Sequence, residues 1–580
     1  MKQNNRSDWY LIAFLVCVFF CTVGQAGQKP NVILIMTDDQ GYGDLSCYGN
    51  PVLKTPNMDR LHDESIRFTD FHVSPLCTPT RAALMTGRYP AKTGAYRTSA
   101  GRTLLHTDER TIANVFVDNG YVTGMMGKWH LGDNAPHRPQ DRGFQDVVWH
   151  RCGAIGQVSD YWGNDYFGDT YERNGKLETF EGYCTDIWFA ESLRFIKENK
   201  DKPFFLYLSL NAPHSPYIVD EKWSKPYQDG DHGANTNFLG MIANVDYNLG
   251  VFREQLESLG LAENTILIFM TDNGTAAGAK FTGFDSQAVK GFNAGMRGKK
   301  CSIYEGGHRV PFFIHWPAGN MDKGRDITTL AAHIDVLPTL AELCGIQLSD
   351  THKLDGISFA SLLKNPDAPA HRDHLVVQLH GGPAAVDYLK EWNHSCVIKD
   401  QWRLINGKEL YDLSKDPSQK NDIAADNPKV VEQLRSLYPA FHEPLLPRMT
   451  AVSIDIGNPT ENPTFLCSQD WYLPEGNPPW NFRMIRKLSP LNGPWMVDVK
   501  KAGRYRITLR QWPAEADKPV QAIRAKVQVA GLEKETTVEP GSKGVIFEMD
   551  LPAGKTELRT WLYRKDGKVG GAYFTEVEAL

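Results

Sequence analysis

Two stretches of this chain follow one plan, and that plan limits the fold more than any other feature. "NVILIMTDD" (31–39) and "NTILIFMTDNG" (264–274) are unbroken apolar runs that stop abruptly at Asp38 and Asp39 and at Asp272 and Asn273. Two further runs, "GYVTGMMGKWHLG" (120–132) and "KPFFLYLSLNAPHSP" (202–216), end at Lys128 and His130 and at His214. A strand with one wet face alternates in polarity, whereas a continuous apolar run suits a strand buried on both faces, as in a parallel sheet. Helix-patterned segments lie between the runs, at 55–65, 108–120, 184–199 and 237–260. Strand–helix alternation predicts a three-layer α/β fold around a mostly parallel sheet. Ligands of such sheets gather beyond the carboxyl ends of the strands, so four chemically loaded ends are expected to share one crevice.

The 580 residues, 41% of them hydrophobic, can fill more than one core. The net charge of −6 comes with no basic block, which argues against a nucleic-acid partner. Residues 1–26 read as an export signal: Lys2 and Arg6 precede "LIAFLVCVFF", and "GQA" ends at Ala26. No later run rivals it, so the mature chain is expected to be exported, periplasmic or secreted (lysosomal in a eukaryotic host), and not membrane-spanning. The eight cysteines beyond the signal are scattered without a C-x-x-C pair, unlike a disulfide scaffold or a zinc ribbon.

Three further units are expected: a catalytic α/β domain over 27–370, an antiparallel-sheet subdomain over 371–445, and a β-sandwich-like domain over 446–580. "HEPLLPRMT" (442–450) reads as a linker between the last two.

Asp38, Asp39, Asp272 and Asn273 offer only hard oxygen ligands, a set that favours Ca²⁺ or Mg²⁺ over zinc. Singly, each Asp reads as a helix cap or turn residue; paired at two similar strand ends, they read as a metal site. Arg81, Lys128 and Lys300 lie near glycines, while Lys299 keeps the ordinary reading of a solvated surface lysine. Those three cations, a divalent ion, three carboxylates and one singly charged ester sum to about one positive charge, so the site can hold an anion. His130 and His214 can transfer protons near neutral pH. Cys77, in "SPLCTPTRAALMTGRYPAKTG", has Pro79 and Arg81 close behind it, neighbours that a disulfide cysteine does not need.

"CTPTRAALMTGRYP" resembles the type I sulfatase signature C-x-P-x-R with its following T-G. "DDQGYGDL", "GKWHLG", "APHSP", "TDNG" and "RGKKCSIYEGGHRVPFFIHWP" resemble the other sulfatase blocks in the family's order, and "ELYDLSKDPSQKNDIA" resembles its C-terminal subdomain. The likeness spans 28–445. It implies an alkaline-phosphatase-like α/β sandwich that hydrolyses a sulfate monoester, expected on a carbohydrate. It further implies that Asp38, Asp39, Asp272, Asn273 and residue 77 hold Ca²⁺, with Mg²⁺ the second choice. Cys77 would become formylglycine (3-oxoalanine) through a separate formylglycine-generating enzyme, and Arg81 would orient its hydrate. Lys128, His130, His214 and Lys300 would surround the sulfate. Lys300 is preferred to Lys299 because it stands five residues before Glu305, although "RGKK" replaces the commoner "RGGK".

In the implied chemistry one hydroxyl of the aldehyde hydrate attacks sulfur, and His130 takes the proton of the other as sulfate departs. His214, with Lys300, would protonate the leaving alcohol. Two rival outcomes remain: a phosphonate monoester or phosphodiester hydrolase on the same scaffold, and a catalytically dead glycan-binding protein. The second would use Trp471, Tyr472, Trp480, Trp495, Trp512 and Trp561, most of which suit a sandwich core instead. "CSQDWYLPEGNPPWN" (467–481), too polar and turn-rich for a strand, is expected near the catalytic mouth.

Overall fold

In the computed structural model, which describes residues 29–349, 352–381 and 390–580, the apolar runs become the middle of a ten-stranded sheet. The expected export signal (1–26) lies outside the described residues. The strands are β1 (Asn31–Thr37), β2 (Ile66–Phe68), β3 (Val122–Lys128), β4 (Asp146–His150), β5 (Thr170–Arg173), β6 (Lys176–Thr179), β7 (Phe204–Ser209), β8 (Thr265–Thr271), β9 (Phe312–His315) and β10 (Arg325–Ile327). Their order across the sheet is β10-β2-β9-β8-β1-β7-β3-β4-β5-β6. From β8 through β1, β7 and β3 to β4 every pairing is parallel, and antiparallel strands flank this centre.

The unbroken apolar runs have a simple cause. Val32, Leu34 and Met36 point into one core layer, and Ile33 and Ile35 into the other. Successive strand residues face opposite sides, so a strand covered on both faces needs apolar residues throughout. One face is covered by α2 (Cys77–Thr86), α3 (Ile112–Asp118) and α6 (Val336–Leu343), the other by α1 (Pro56–Glu64), α4 (Cys184–Asn199) and α5 (Thr236–Ser258). This is the expected three-layer sandwich with a mixed, mostly parallel sheet. No helix among the described residues is long and apolar enough to cross a membrane.

A four-stranded antiparallel sheet follows, formed by Leu375–Gln378, Ser395–Lys399, Trp402–Ile405 and Glu409–Asp412. Arg403 ties it to the sandwich: its Nε donates to Glu305 Oε1 at 2.8 Å and its Nη2 to Asp70 Oδ1 at 2.9 Å. The stretch 443–448 departs from the linker reading, because Glu443–Arg448 forms a 3₁₀-helix directly after the helix Tyr438–His442. Pro444 stands in its first turn, where no amide hydrogen is needed, and Leu445 is buried beneath it.

Beyond Ile454 a six-stranded and a four-stranded sheet enclose a third core, which includes Trp471, Trp495 and Trp512. Strands such as Val545–Leu551 alternate buried and open positions, as expected for sheets with one wet face. Ala100, Leu104 and Val158 of the α/β sandwich belong to this same core. The C-terminal module is therefore packed onto the sandwich through shared apolar contacts.

Arg403→Ala takes the hydrogen-bonded guanidinium from the buried Glu305 carboxylate and leaves it only Arg309, 3.6 Å from its other oxygen. Equilibrium denaturation should report a loss of about 3–5 kcal/mol, the usual consequence of breaking a buried ion pair.

Candidate active site

β1 stops at Thr37, and the chain turns at once through Asp38 and Asp39, the latter at a left-handed φ of 70°. Next to it β8 stops at Thr271, followed by Asp272 and Asn273. The two ends are laced together: Asp39 N donates to Asp272 Oδ1 at 2.9 Å, and Asn273 Nδ2 donates to Asp39 Oδ1 at 2.9 Å. Gly274 lies so close to the "YEGG" turn that a Cβ there would fall 1.8 Å from Gly306 O. That approach needs glycine and holds the Lys300 loop beside β8.

Each carboxylate meets a cation. Lys128 Nζ, at the end of β3, donates to Asp38 Oδ2 at 2.6 Å. Arg81 Nη2 donates to Asp272 Oδ2 at 2.9 Å, and its Nη1 donates to Ser209 Oγ at 2.5 Å and Lys128 O at 3.2 Å. Lys300 Nζ is 2.6 Å from Asp39 Oδ1, whereas Lys299 Nζ lies over the Phe281 and Phe284 rings at 5.5 Å from each. Asp38, Asp39, Asp272, Arg81 and Lys128 are all buried.

Cys77 opens α2, one turn before Arg81. Its Sγ and carboxylate oxygens of Asp38 and Asp272 all lie within 4.8 Å of one another. The same sulfur is 3.4 Å from His130 Nδ1, and His130 Nε2 is 3.3 Å from Thr98 O. A carbonyl oxygen only accepts, so Nε2 carries the proton and Nδ1 of the neutral ring is an acceptor aimed at residue 77. His130 has a φ of 60°, and Gly153 packs so tightly on its ring that a Cβ would come within 2.6 Å of Cε1. His214 donates from Nδ1 to Ser215 O at 2.6 Å and places Nε2 3.6 Å from Asp39 Oδ2. Every residue singled out from the sequence for this chemistry falls in one connected cluster, and none stands apart from it.

Burial and then the Asp38 charge raise the Asp272 carboxyl. Burial alone would raise Asp39 too, but Lys300 and then His214 outweigh it and hold that carboxyl below the usual range. Burial raises the Cys77 thiol against the pull of Lys128 and Lys300, so the unmodified sulfur is a protonated, poor nucleophile. Burial, then Lys128 and Arg81, keep His130 neutral, and burial with Lys300 brings His214 down to about 3. Raised in this way, the Asp272 carboxyl carries its full charge only beside more positive charge than Arg81 and Lys128 supply. Asp38 Oδ1 and Asn273 Oδ1 are buried without a hydrogen-bond partner. Two orphaned oxygens among carboxylates are the donor set of a hard divalent cation, and a cation there would release Lys128, Arg81 and Lys300 towards an anion.

Sequence reasoning missed Ser209, whose Oγ accepts from Arg81 and donates to Lys128 O at 2.6 Å. Its position as the last residue of β7 was the available signal. It also missed Thr98, which acts through a backbone carbonyl and so leaves no mark in residue type.

A three-layer sandwich whose parallel strand ends hold a cluster of carboxylates matched by cations defines a hydrolase of anionic esters with an alkaline-phosphatase-like fold. A family model described as "Sulfatase" matches residues 30–346, and one described as "N-sulphoglucosamine sulphohydrolase, C-terminal" matches residues 296–441. The chain belongs to the sulfatase family and is a sulfuric ester hydrolase. It is 30% identical over 506 residues to the N-acetylgalactosamine-6-O-sulfatase of Bacteroides thetaiotaomicron, covering 71% of this chain and 93% of that protein. It is 32% identical over 458 residues to arylsulfatase A of Homo sapiens, covering 71% and 87%. A crystal structure titled Ps i-CgsB in complex with k-i-k-neocarrahexaose superposes with a TM-score of 0.62 at 29% identity, covering 72% of this chain and 93% of that one. The phosphonate monoester hydrolase of Agrobacterium radiobacter shares the fold at 20% identity and a TM-score of 0.52.

Lys128→Met removes the 2.6 Å partner of buried Asp38 and leaves only Arg81 Nη2, 3.9 Å from the same oxygen. In chelator-treated protein, thermal or denaturant unfolding should show a loss of about 3–5 kcal/mol.

Proposed function

We propose that this chain hydrolyses a sulfate monoester on a carbohydrate, with residue 77 matured to formylglycine and Ca²⁺ held by Asp38, Asp39, Asp272, Asn273 and residue 77. One observation carries the reading: residue 77 lies within 4.8 Å of Asp38 and Asp272 and 3.4 Å from an acceptor nitrogen of His130. When present, the ion and the aldehyde hydrate supply an anchor for ester oxygens and an oxygen nucleophile for sulfur. The chain's own residues do the rest. Arg81, one helical turn after residue 77, ties the start of α2 to Asp272 and so holds residue 77 at the acidic cluster. Lys128 and Lys300 bind the sulfate oxygens, where fixed cations in a dry site stabilise charge developing on them. His130 Nδ1 accepts the proton leaving residue 77. Lys300, beside Asp39, carries the proton for the leaving alcohol, and His214, which also adjoins Asp39, lies next to it.

The carbohydrate assignment draws on the relatives' names, an N-acetylgalactosamine sulfatase and a structure holding a neocarrahexaose. Export to the periplasm or the medium, with maturation by a formylglycine-generating enzyme, completes the reading. So does a tripartite layout of α/β domain, antiparallel-sheet subdomain and C-terminal β-sandwich domain. Both rivals make distinct forecasts. A phosphonate hydrolase would prefer an aryl phosphonate to an aryl sulfate, and a dead glycan binder would turn over neither.

The deciding experiment is a screen of matured protein against defined sulfated mono- and oligosaccharides, with free sulfate as the readout. Sulfate release is expected from at least one member; none, alongside turnover of an aryl phosphonate, would sink the proposal. Cys77→Ala should reduce release to the uncatalysed background. After EGTA treatment activity should fall by at least about tenfold and return with added Ca²⁺.

A further inference from the structure

Residues 442–580 lie beyond both family models, and the matched relatives above cover 71–72% of the chain. The C-terminal module nevertheless reaches the catalytic centre through the segment 467–481. One side of that segment is fixed in the module. Trp471 is fully buried with its ring 5.8 Å from Trp495, Ser468 N donates to Tyr573 O at 2.7 Å, and Trp495 Nε1 donates to Cys467 O at 2.7 Å.

The other side grips the loop 97–103, which carries Thr98. Arg97 Nη2 donates to Gly476 O at 2.6 Å and Asn477 Oδ1 at 2.7 Å, and Ser99 Oγ donates to Asn477 Oδ1 at 3.1 Å. Ala100 N donates to Gln469 O at 2.9 Å, and Arg102 Nη1 donates to Leu473 O at 2.7 Å. Arg97, Ser99 and Arg102 are buried at these contacts. Gly101 lies against the segment so closely that a Cβ would be 3.0 Å from Asp470 O.

We propose that segment 467–481 is a positioning element of the active site. With Asn477 at its centre, it holds the loop so that Thr98 O fixes the tautomer and orientation of His130. The chain of contact is short. Asn477 fixes Arg97 and Ser99, these flank Thr98, Thr98 O receives the Nε2 proton of His130, and Nδ1 is left as the acceptor facing residue 77. Partners of the far nitrogen of a metal-ligating imidazole matter roughly 10- to 100-fold, and the same orienting effect applies to an imidazole base. This inference rests on the proposed role of His130 as the base.

The test compares Asn477→Ala, Asn477→Asp, His130→Ala and the His130→Ala/Asn477→Ala double variant in the full matured chain. A sulfate ester turned over by the parent is the substrate, and peptide mass confirms equal maturation of residue 77. Asn477→Ala should lower kcat roughly tenfold or more with KM within about twofold, because the contact acts on the chemical step and not on substrate binding. Asn477→Asp, which keeps the oxygen acceptors for Arg97 and Ser99, should restore kcat. In the His130→Ala background Asn477→Ala should add nothing, since both act through one group. Unchanged kcat in Asn477→Ala, or an additive loss in the double variant, would overturn the proposal. Unchanged kcat in His130→Ala would instead overturn the reading of His130. Should Asn477→Ala fail to fold, Arg97→Lys replaces it with the same expectation, since an ammonium cannot reproduce the guanidinium fork that reaches Gly476 O and Asn477 Oδ1.

Discussion

Three buried carboxylates matched by three buried or half-buried cations form the interaction on which this structure turns. Asp38 with Lys128, Asp272 with Arg81, and Asp39 with Lys300 are each within 3 Å, and of the six only Lys300 keeps part of its side chain in water. Such clusters are expensive to desolvate and hold together only when every partner is in place. The cluster therefore demands that β1, β3 and β8, helix α2 and the Lys300 loop all arrive in register. It is both the tightest constraint on the fold and the proposed source of its chemistry. In the proposed reading a hard cation held by the carboxylates would shift the balance and leave the lysines and arginine to face an anionic ester.

The parallel sheet is what makes the assembly possible. Parallel strands all present the same end to the same side, so β8, β1, β7 and β3 deliver Asp272, Asp38, Ser209 and Lys128 to one rim without long excursions of chain. Glycines then allow close approaches that no other residue tolerates, as where Gly274 meets Gly306 and where Gly153 meets His130. The C-terminal module adds an outer wall. Through Asn477 and the carbonyls of Gln469, Leu473 and Gly476 it supports the loop behind His130, linking a region outside the family models to the residue that faces position 77.

Much of this was legible in the sequence for a physical reason. Strands buried on both faces must be apolar throughout, so 31–37 and 265–271 announce themselves, and the polar residues that end them are conspicuous by contrast. The helices Cys184–Asn199 and Thr236–Ser258 were similarly plain, since their apolar residues recur at helical spacing. What stayed hidden depends on backbone atoms or on distance along the chain. Thr98 works through a carbonyl that any residue would supply. Arg403 meets Glu305 and Asp70 across 98 and 333 positions, so nothing local marks their pairing. The stretch 443–448 looked like a linker because its prolines suggested irregular chain; the 3₁₀-helix takes Pro444 in its first turn and carries Pro447 inside it, and Leu445 found a core to enter.

The most direct measurement is the mass and reactivity of the peptide bearing residue 77, taken from catalytically active protein. A cysteine that has lost its sulfur and reacts with a hydrazide as an aldehyde is the expected result. Full activity from protein whose residue 77 is an ordinary thiol would contradict the account, because the buried sulfur would then have to do chemistry for which its surroundings leave it protonated and unreactive.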